Sequence, residues 1–360
     1  MASRHFGAGG NRHMPLTQRC YNLWFPKFDD NRVDDIFYFK ILGSHLTAEP
    51  KGRYQKQNLS HAEVLGQSDS IGNQSIRNTD PDSTAHLNLV KTSPMTIGLI
   101  GCGKMGSALT LGAIKKGVFE PHQVLAYDPV PEAIAALGDG ILTAKSLEEV
   151  IQQSDILLLC VKPYQVSEIL AKIPPLVKSS DELLVISIAA GVKIETMEES
   201  CNHQARIVRT MPNTPALVGE GAAAFALGKK TADADADFTE KLLGSIGIVY
   251  QVKESLLDTV TGLSGSGPAY VYTFIEALAD GALLEGLPRD QALALATQTV
   301  LGAARMVADS GEHPSVLRDR VTSPGGTTIA GLAALEEGAF RSSAINAVKA
   351  ATKKARELGR

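Results

Sequence analysis

The segment Gly101-Cys102-Gly103-Lys104-Met105-Gly106 constrains this chain more than any other, because it reads G-x-G-x-x-G and directly follows the apolar run Met95–Ile100. An apolar run of that length reads as a strand, and Met105–Lys116 carries the apolar spacing of a helix. A glycine-rich turn from strand into helix aims free backbone N–H groups at one point, at a positive helix end, which suits a pyrophosphate. In such a turn Gly101 permits the tight bend, Gly103 lets a phosphate approach the backbone, and Gly106 lets the helix pack on the strand. The spacing therefore predicts a dinucleotide site in which Gly101, Cys102, Gly103, Lys104, Met105 and Gly106 cradle the phosphates of NADPH or NADH.

Beyond Lys116 the chain repeats the same alternation of strand and helix. Gln123–Tyr127, Asp155–Val161 and Leu183–Ile188 read as near-continuous apolar strands, the pattern of a parallel sheet covered on both faces, and Pro131–Leu137, Leu147–Gln153 and Gln165–Lys172 read as the intervening helices. After about Asp258 the pattern changes to long Ala- and Leu-rich helices: Pro268–Leu284, Arg289–Ser310, Pro314–Arg320, Thr327–Glu337 and Phe340–Glu357. The fold class expected is α/β: a Rossmann-type doubly wound parallel sheet over residues 95–258, followed by an all-α domain over 259–360 suited to close helix packing, within the chain or against a partner subunit.

Two residues extend the nucleotide reading. Asp128 stands 22 residues past Gly106, at the end of the second strand, where a carboxylate meets the adenosine ribose; Asp before Pro is equally ordinary turn chemistry, and both roles can coexist. Val161-Lys162-Pro163 closes the next strand, and ligands lie at the carboxyl ends of parallel strands, so Lys162 is placed near the nicotinamide half.

The first 94 residues are unlike the rest. They hold eleven Lys+Arg against nine Asp+Glu and show no sustained apolar period, so they are expected to be a disordered extension without catalytic residues, whether an unstructured tail, an over-extended start or a transit peptide. With 35 Lys+Arg against 39 Asp+Glu the whole chain offers no global field for nucleic acid or an anionic membrane. Cys20, Cys102, Cys160 and Cys201 match neither a metal-site nor a disulfide spacing, which points to a reducing compartment and no metal. No apolar run reaches the roughly eighteen residues of a membrane span, so a soluble, cytoplasmic protein is expected.

Four further strings narrow the chemistry. Arg209-Thr210-Met211-Pro212-Asn213-Thr214-Pro215 is a proline-stiffened loop whose Asn213 and Thr214 could contact a carboxamide or ribose. Gly262-Leu263-Ser264-Gly265-Ser266-Gly267-Pro268-Ala269-Tyr270 opens a long helix, and its glycines imply close backbone approach. Gly311-Glu312-His313-Pro314 precedes another, with His313 read as a helix-start residue. Ser323-Pro324-Gly325-Gly326-Thr327-Thr328 sets the N–H groups of Gly326, Thr327 and Thr328 at a positive helix end, a site for a carboxylate.

In this order the strings resemble the pyrroline-5-carboxylate reductases, over about residues 97–357. The resemblance implies hydride transfer from NADPH or NADH to the C=N bond of 1-pyrroline-5-carboxylate, a small-molecule substrate. It implies an interlocked helical dimer that gathers into decamers, with each active site between the cofactor domain of one subunit and the helical domain of its partner. Carried over by residue, Val161, Lys162, Pro163 and Asn213 would flank the nicotinamide. Gly326, Thr327 and Thr328 would hold the substrate carboxylate, with the Thr328 hydroxyl near the imine nitrogen and Glu312 bordering the pocket. Two rivals stand beside this reading. A hydroxy-acid or ketopantoate dehydrogenase of similar layout would need a helical-domain lysine, and Pro268–Ser310 has none. A nucleotide sensor without turnover would have no use for a carboxylate-binding helix end.

Overall fold

The computed structural model describes residues 95–177 and 183–359; the readings made for residues 1–94, including a disordered extension and Cys20, lie outside the described residues. β1 (Ile97–Ile100) is buried throughout and runs through the glycine-rich turn into α1 (Lys104–Lys115). Then come β2 (Val124–Tyr127), α2 (Pro131–Ala135), β3 (Leu142–Thr143), α3 (Leu147–Gln153), β4 (Ile156–Leu159) and α4 (Pro163–Leu170). β5 (Leu184–Ser187), α5 (Ile194–Ser200), β6 (Arg206–Met211), β7 (Gly221–Leu227), α6 (Asp233–Gly244) and β8 (Gly247–Gln251) complete the sheet. Helix starts obey local chemistry: Ser146 accepts a hydrogen bond from the Glu149 N–H at 3.2 Å to open α3, and Pro163 sits in the first turn of α4.

The strands lie in the order β3-β2-β1-β4-β5-β6-β7-β8. The order reverses between β1 and β4, the switch point at which such sheets bind ligands. Because side chains alternate along each strand, the sheet fills two cores. Leu157, Leu159, Val185 and Ile207 pack with α3, α4 and α5 on one side, while Leu99, Leu158, Ile186 and Phe225 pack with α1 and α6 on the other. One pairing departs from an all-parallel sheet: β6 and β7 are antiparallel. The short loop from Met211 to Gly221 has no room for the dozen or so residues that a parallel crossover needs. β3, β7 and β8 were not anticipated from the sequence.

The helical part comprises α7 (Leu257–Val260), a π-helical turn at Thr261–Gly265, α8 (Gly267–Leu284), α9 (Arg289–Ser310), α10 (Pro314–Arg320), α11 (Thr327–Glu337) and α12 (Phe340–Leu358). α8 and α9 form a hairpin packed through Ala279, Ala292 and Ala296. α12 returns to lie on the π-helical turn, so closely that a Cβ on Gly262 would fall 2.3 Å from Thr352 Oγ1 and 2.8 Å from the Val348 carbonyl. An ion triad ties this part to the sheet: buried Arg209 on β6 donates from Nη1 to Glu254 Oε1 at 3.2 Å and from Nη2 to Asp258 Oδ1 at 2.9 Å. Elsewhere the helices expose large apolar side chains, among them Tyr272 at 61%, Leu301 at 60% and Leu284 at 87%. Faces of this kind on several neighbouring helices call for a protein cover.

Candidate active site

A cleft of about 710 Å³ opens at the switch point, within the range of ligand sites, roughly 300–1,000 Å³. Its walls come from the carboxyl ends of β1, β2, β4 and β5: Gly101, Gly103, Lys104 and Met105, then Asp128, then Val161, Lys162 and Pro163, then Ile188, Ala189 and Ala190. The sequence pattern brought most of these together. It missed Ala189 and Ala190, although the carboxyl-end rule that placed Lys162 applies equally to the residues following β5.

The three fingerprint glycines are needed for three different reasons. Gly101 has φ +93°, and a Cβ there would meet the Cys160 carbonyl at 2.5 Å. A Cβ on Gly106 would meet the Gly101 carbonyl at 2.2 Å, so helix and turn touch there. Gly103 differs: nothing lies within 4 Å of where its Cβ would stand. That open flank, at the head of α1, is what close approach of a phosphate requires, and α1 carries no acid in its first turn to repel one. The first N–H groups of the helix, on Lys104, Met105 and Gly106, have no intrahelical acceptor. These residues fit the pyrophosphate of a dinucleotide.

The thiols beside the loop support the same use. Burial, with the Asp128 charge adding to it, pushes the Cys102 thiol up to about 12, and burial with Cys102 nearby pushes Cys160 up to about 12. Both stay protonated, so neither places a thiolate where phosphates would lie. Cys102, Cys160 and Cys201 are all free.

Asp128 is more constrained than expected of a ribose ligand alone. Its Oδ2 accepts from the Cys102 N–H at 2.7 Å and its Oδ1 from the Val130 N–H at 2.9 Å. The turn-cap role is therefore real, and it reaches into the glycine-rich loop. Lys162 caps α4 through its backbone, its N–H donating to Gln165 Oε1 at 3.2 Å, and leaves its side chain exposed at the rim.

Asn213 is held at both ends of its amide. Expected beside the nicotinamide, it is buried, does not line the cleft, and acts as a joint: its Oδ1 accepts from the Ala222 N–H at 2.8 Å and its Nδ2 donates to the Ser264 carbonyl at 3.0 Å. Its neighbour Thr214 lines the cleft instead. Asn213 thus fastens the start of β7 and the π-helical turn to the loop after β6, and a Cβ on Gly265 in that turn would fall 2.6 Å from Met211 Cε.

The substrate-end residues are not among those that line this cleft. Gly325 has φ +67° and turns the chain into α11, which Gly326 caps without any side-chain partner, leaving the N–H groups of Thr327 and Thr328 pointing out of the helix end. Thr328 is half-buried and Thr327 exposed. None of Gly326, Thr327 and Thr328 lines the cleft. Glu312 spends both oxygens on Arg320, each at 2.6 Å, and His313 caps α10 by accepting from the Ser315 N–H at 3.2 Å, the helix-start role expected of it. Among the described residues there is no group of three or more His, Cys, Asp and Glu that could hold a metal ion.

Comparison with known proteins identifies the framework. A family model described as pyrroline-5-carboxylate reductase dimerisation matches residues 254–358, and one described as NADP oxidoreductase, coenzyme F420-dependent, matches 96–191. The pyrroline-5-carboxylate reductase of Pisum sativum is 47% identical over 264 residues, 73% of this chain and 96% of the relative. That of Methanosarcina acetivorans is 47% identical over 268 residues, 73% of this chain and 98% of the relative. The crystal structure of Plasmodium falciparum pyrroline carboxylate reductase with NADP bound superposes with a TM-score of 0.67 at 35% identity, covering 74% of this chain and 98% of that one. This chain belongs to the pyrroline-5-carboxylate reductase family.

Proposed function

We propose that this chain reduces the C=N bond of 1-pyrroline-5-carboxylate to give proline, using NADPH or NADH. The observation that carries this, within a chain of this family, is the switch-point cleft whose floor at Gly103 is open to a phosphate. Bound there, the reduced nicotinamide supplies the hydride, which goes to C5 of the ring while the nitrogen takes or keeps a proton. The N–H groups at the head of α1 hold the pyrophosphate, and Val161, Lys162 and Pro163 border the nicotinamide half. Asn213 contributes by fixing the loop that carries Thr214. Gly326, Thr327 and Thr328 hold the substrate carboxylate through backbone N–H groups, and the Thr328 hydroxyl stands by the ring nitrogen. Glu312, held by Arg320, borders that pocket. No strong acid is required, since an iminium accepts hydride readily once ring is set against ring.

The two halves meet across a dimer in this reading. The exposed apolar faces of α8 and α9 and the absence of the Gly326 helix end from the cleft's walls both support a site completed by a second copy, with residues 95–258 as the cofactor domain, 259–360 as the dimerisation domain, and dimers gathering into a decamer. The free buried thiols support a reducing compartment, taken as the cytoplasm. Among the described residues no helix is long and apolar enough to cross a membrane. The test is coenzyme oxidation on addition of pyrroline-5-carboxylate, with NADH and NADPH in separate assays and proline measured as product. Coenzyme binding without turnover would favour the sensor reading and refute this one.

A further inference from the structure

The two hydrogen bonds to Asp128 do more than close a turn. By accepting from Cys102 on one oxygen and Val130 on the other, the carboxylate bridges the end of β2 to the first peptide of the glycine-rich loop. Both partners are N–H dipoles, and among the described residues no ion pair includes Asp128, so its charge is oriented but not cancelled. The Cys102 thiol feels that charge, which adds to burial in suppressing its ionisation. Each oxygen still has a lone pair available to a ribose hydroxyl. A side chain held at both oxygens cannot swing aside for a bulkier, charged group.

We infer that Asp128 is at once the clamp of the glycine-rich loop and the coenzyme selector of this chain, and that the clamp, by forbidding the carboxylate to turn away from a 2′-phosphate, makes the chain favour NADH over NADPH. The inference rests on the nucleotide reading of the cleft and adds to it a direction of preference and the residue that sets it. Asp128 is a positioning residue toward the loop, and it touches coenzyme only at the adenosine ribose, remote from the reacting carbon.

The experiment uses the full chain and two probes that lack nicotinamide, ADP-ribose and 2′-phospho-ADP-ribose, with dissociation constants from calorimetry and kcat/KM measured in parallel for NADH and NADPH. The parent chain should bind ADP-ribose about tenfold or more tighter than its 2′-phosphorylated form, and the ratio should shrink as salt is raised. Asp128→Asn removes the charge and keeps one acceptor, so the ratio should move about tenfold or more toward the phosphorylated probe, whatever the change in absolute affinity. Asp128→Ala also removes the clamp, so both probes should weaken relative to the Asn variant. Equal or tighter binding of the phosphorylated probe by the parent chain overturns the inference, as does an unchanged ratio in Asp128→Asn. If NADPH and NADH then still drive imine reduction, the functional reading survives that failure; binding of neither probe overturns both.

Discussion

Alanine at Gly103 and alanine at Gly106 should have opposite consequences, although the two glycines are three residues apart in one motif. At Gly103 the backbone has φ −69° and ψ −179°, which any residue adopts, and the added methyl meets nothing within 4 Å. The change in stability should stay within about 1 kcal/mol, since reduced unfolded-state freedom offsets a slightly poorer helix cap. The methyl would, however, stand where a phosphate must come close to the α1 N–H groups. Losing two charge-assisted hydrogen bonds of about 1.5–3 kcal/mol each weakens coenzyme binding by roughly a hundredfold or more. At Gly106 the methyl lands 2.2 Å from a backbone carbonyl that cannot rotate away. Overpacking of this kind costs about 1–3 kcal/mol, a fall in melting temperature of roughly 2–12 °C for a domain of this size. Differential scanning calorimetry and titration with NADH and NADPH on the same preparations separate the two effects. A Gly103→Ala variant that binds coenzyme within about threefold of the parent would show that phosphates do not pass over residue 103, and would refute the role given to its open flank.

Three other outcomes are set by the geometry. Arg209→Leu leaves two carboxylates at the sheet–helix junction without their cation; because Glu254 is a third exposed, the cost should be about 3 kcal/mol, the low end for a broken buried pair, and Glu254→Gln with Asp258→Asn should restore part of it in a thermal melt. No recovery in the triple variant would mean that the packing of Arg209, and not its charge, holds the junction. Thr328→Ala keeps the backbone donor and removes the hydroxyl, so turnover should fall about five- to a hundredfold with little change in melting point; normal turnover with a lowered melting point refutes the proposed role. A chain starting at Met95 should keep its turnover and its oligomeric state, because the matched relatives cover 73% of this chain and 96–98% of themselves; loss of either by kinetics or light scattering contradicts this.

Strand and helix order from β1 to β5, β3 apart, was legible because Val, Ile and Leu runs mark strands buried on both faces, and the long helices after Leu257 carry their own apolar period. β7 was not, since Gly221-Ala222-Ala223-Ala224-Phe225-Ala226-Leu227 pairs small residues of high helix propensity with no polar alternation, and only pairing against β6 makes it a strand. β3 is two residues long, and β8 exposes Ile248 and Tyr250 at a sheet edge. At the site, residue types and their strand-end positions could be read, but partners could not. An asparagine in a proline-stiffened loop suits a carboxamide as well as a joint, and the partners that make it a joint, Ala222 and Ser264, lie 9 and 51 residues away.

The same long-range joints bear on catalysis in the proposed dimer. Arg209 with Glu254 and Asp258, Asn213 with Ser264, and Gly262 against α12 all act where the sheet hands over to the helices, and together they fix the direction in which α8 and α9 leave the cofactor domain. If the carboxylate-holding end of α11 must sit over a partner's cleft, that direction sets the separation between the hydride donor and the imine carbon. A misplacement of about 1 Å can cost a hundredfold in rate. The junction residues touch neither coenzyme nor imine in this reading, yet substitutions there should lower turnover more than they raise the Michaelis constant for the imine.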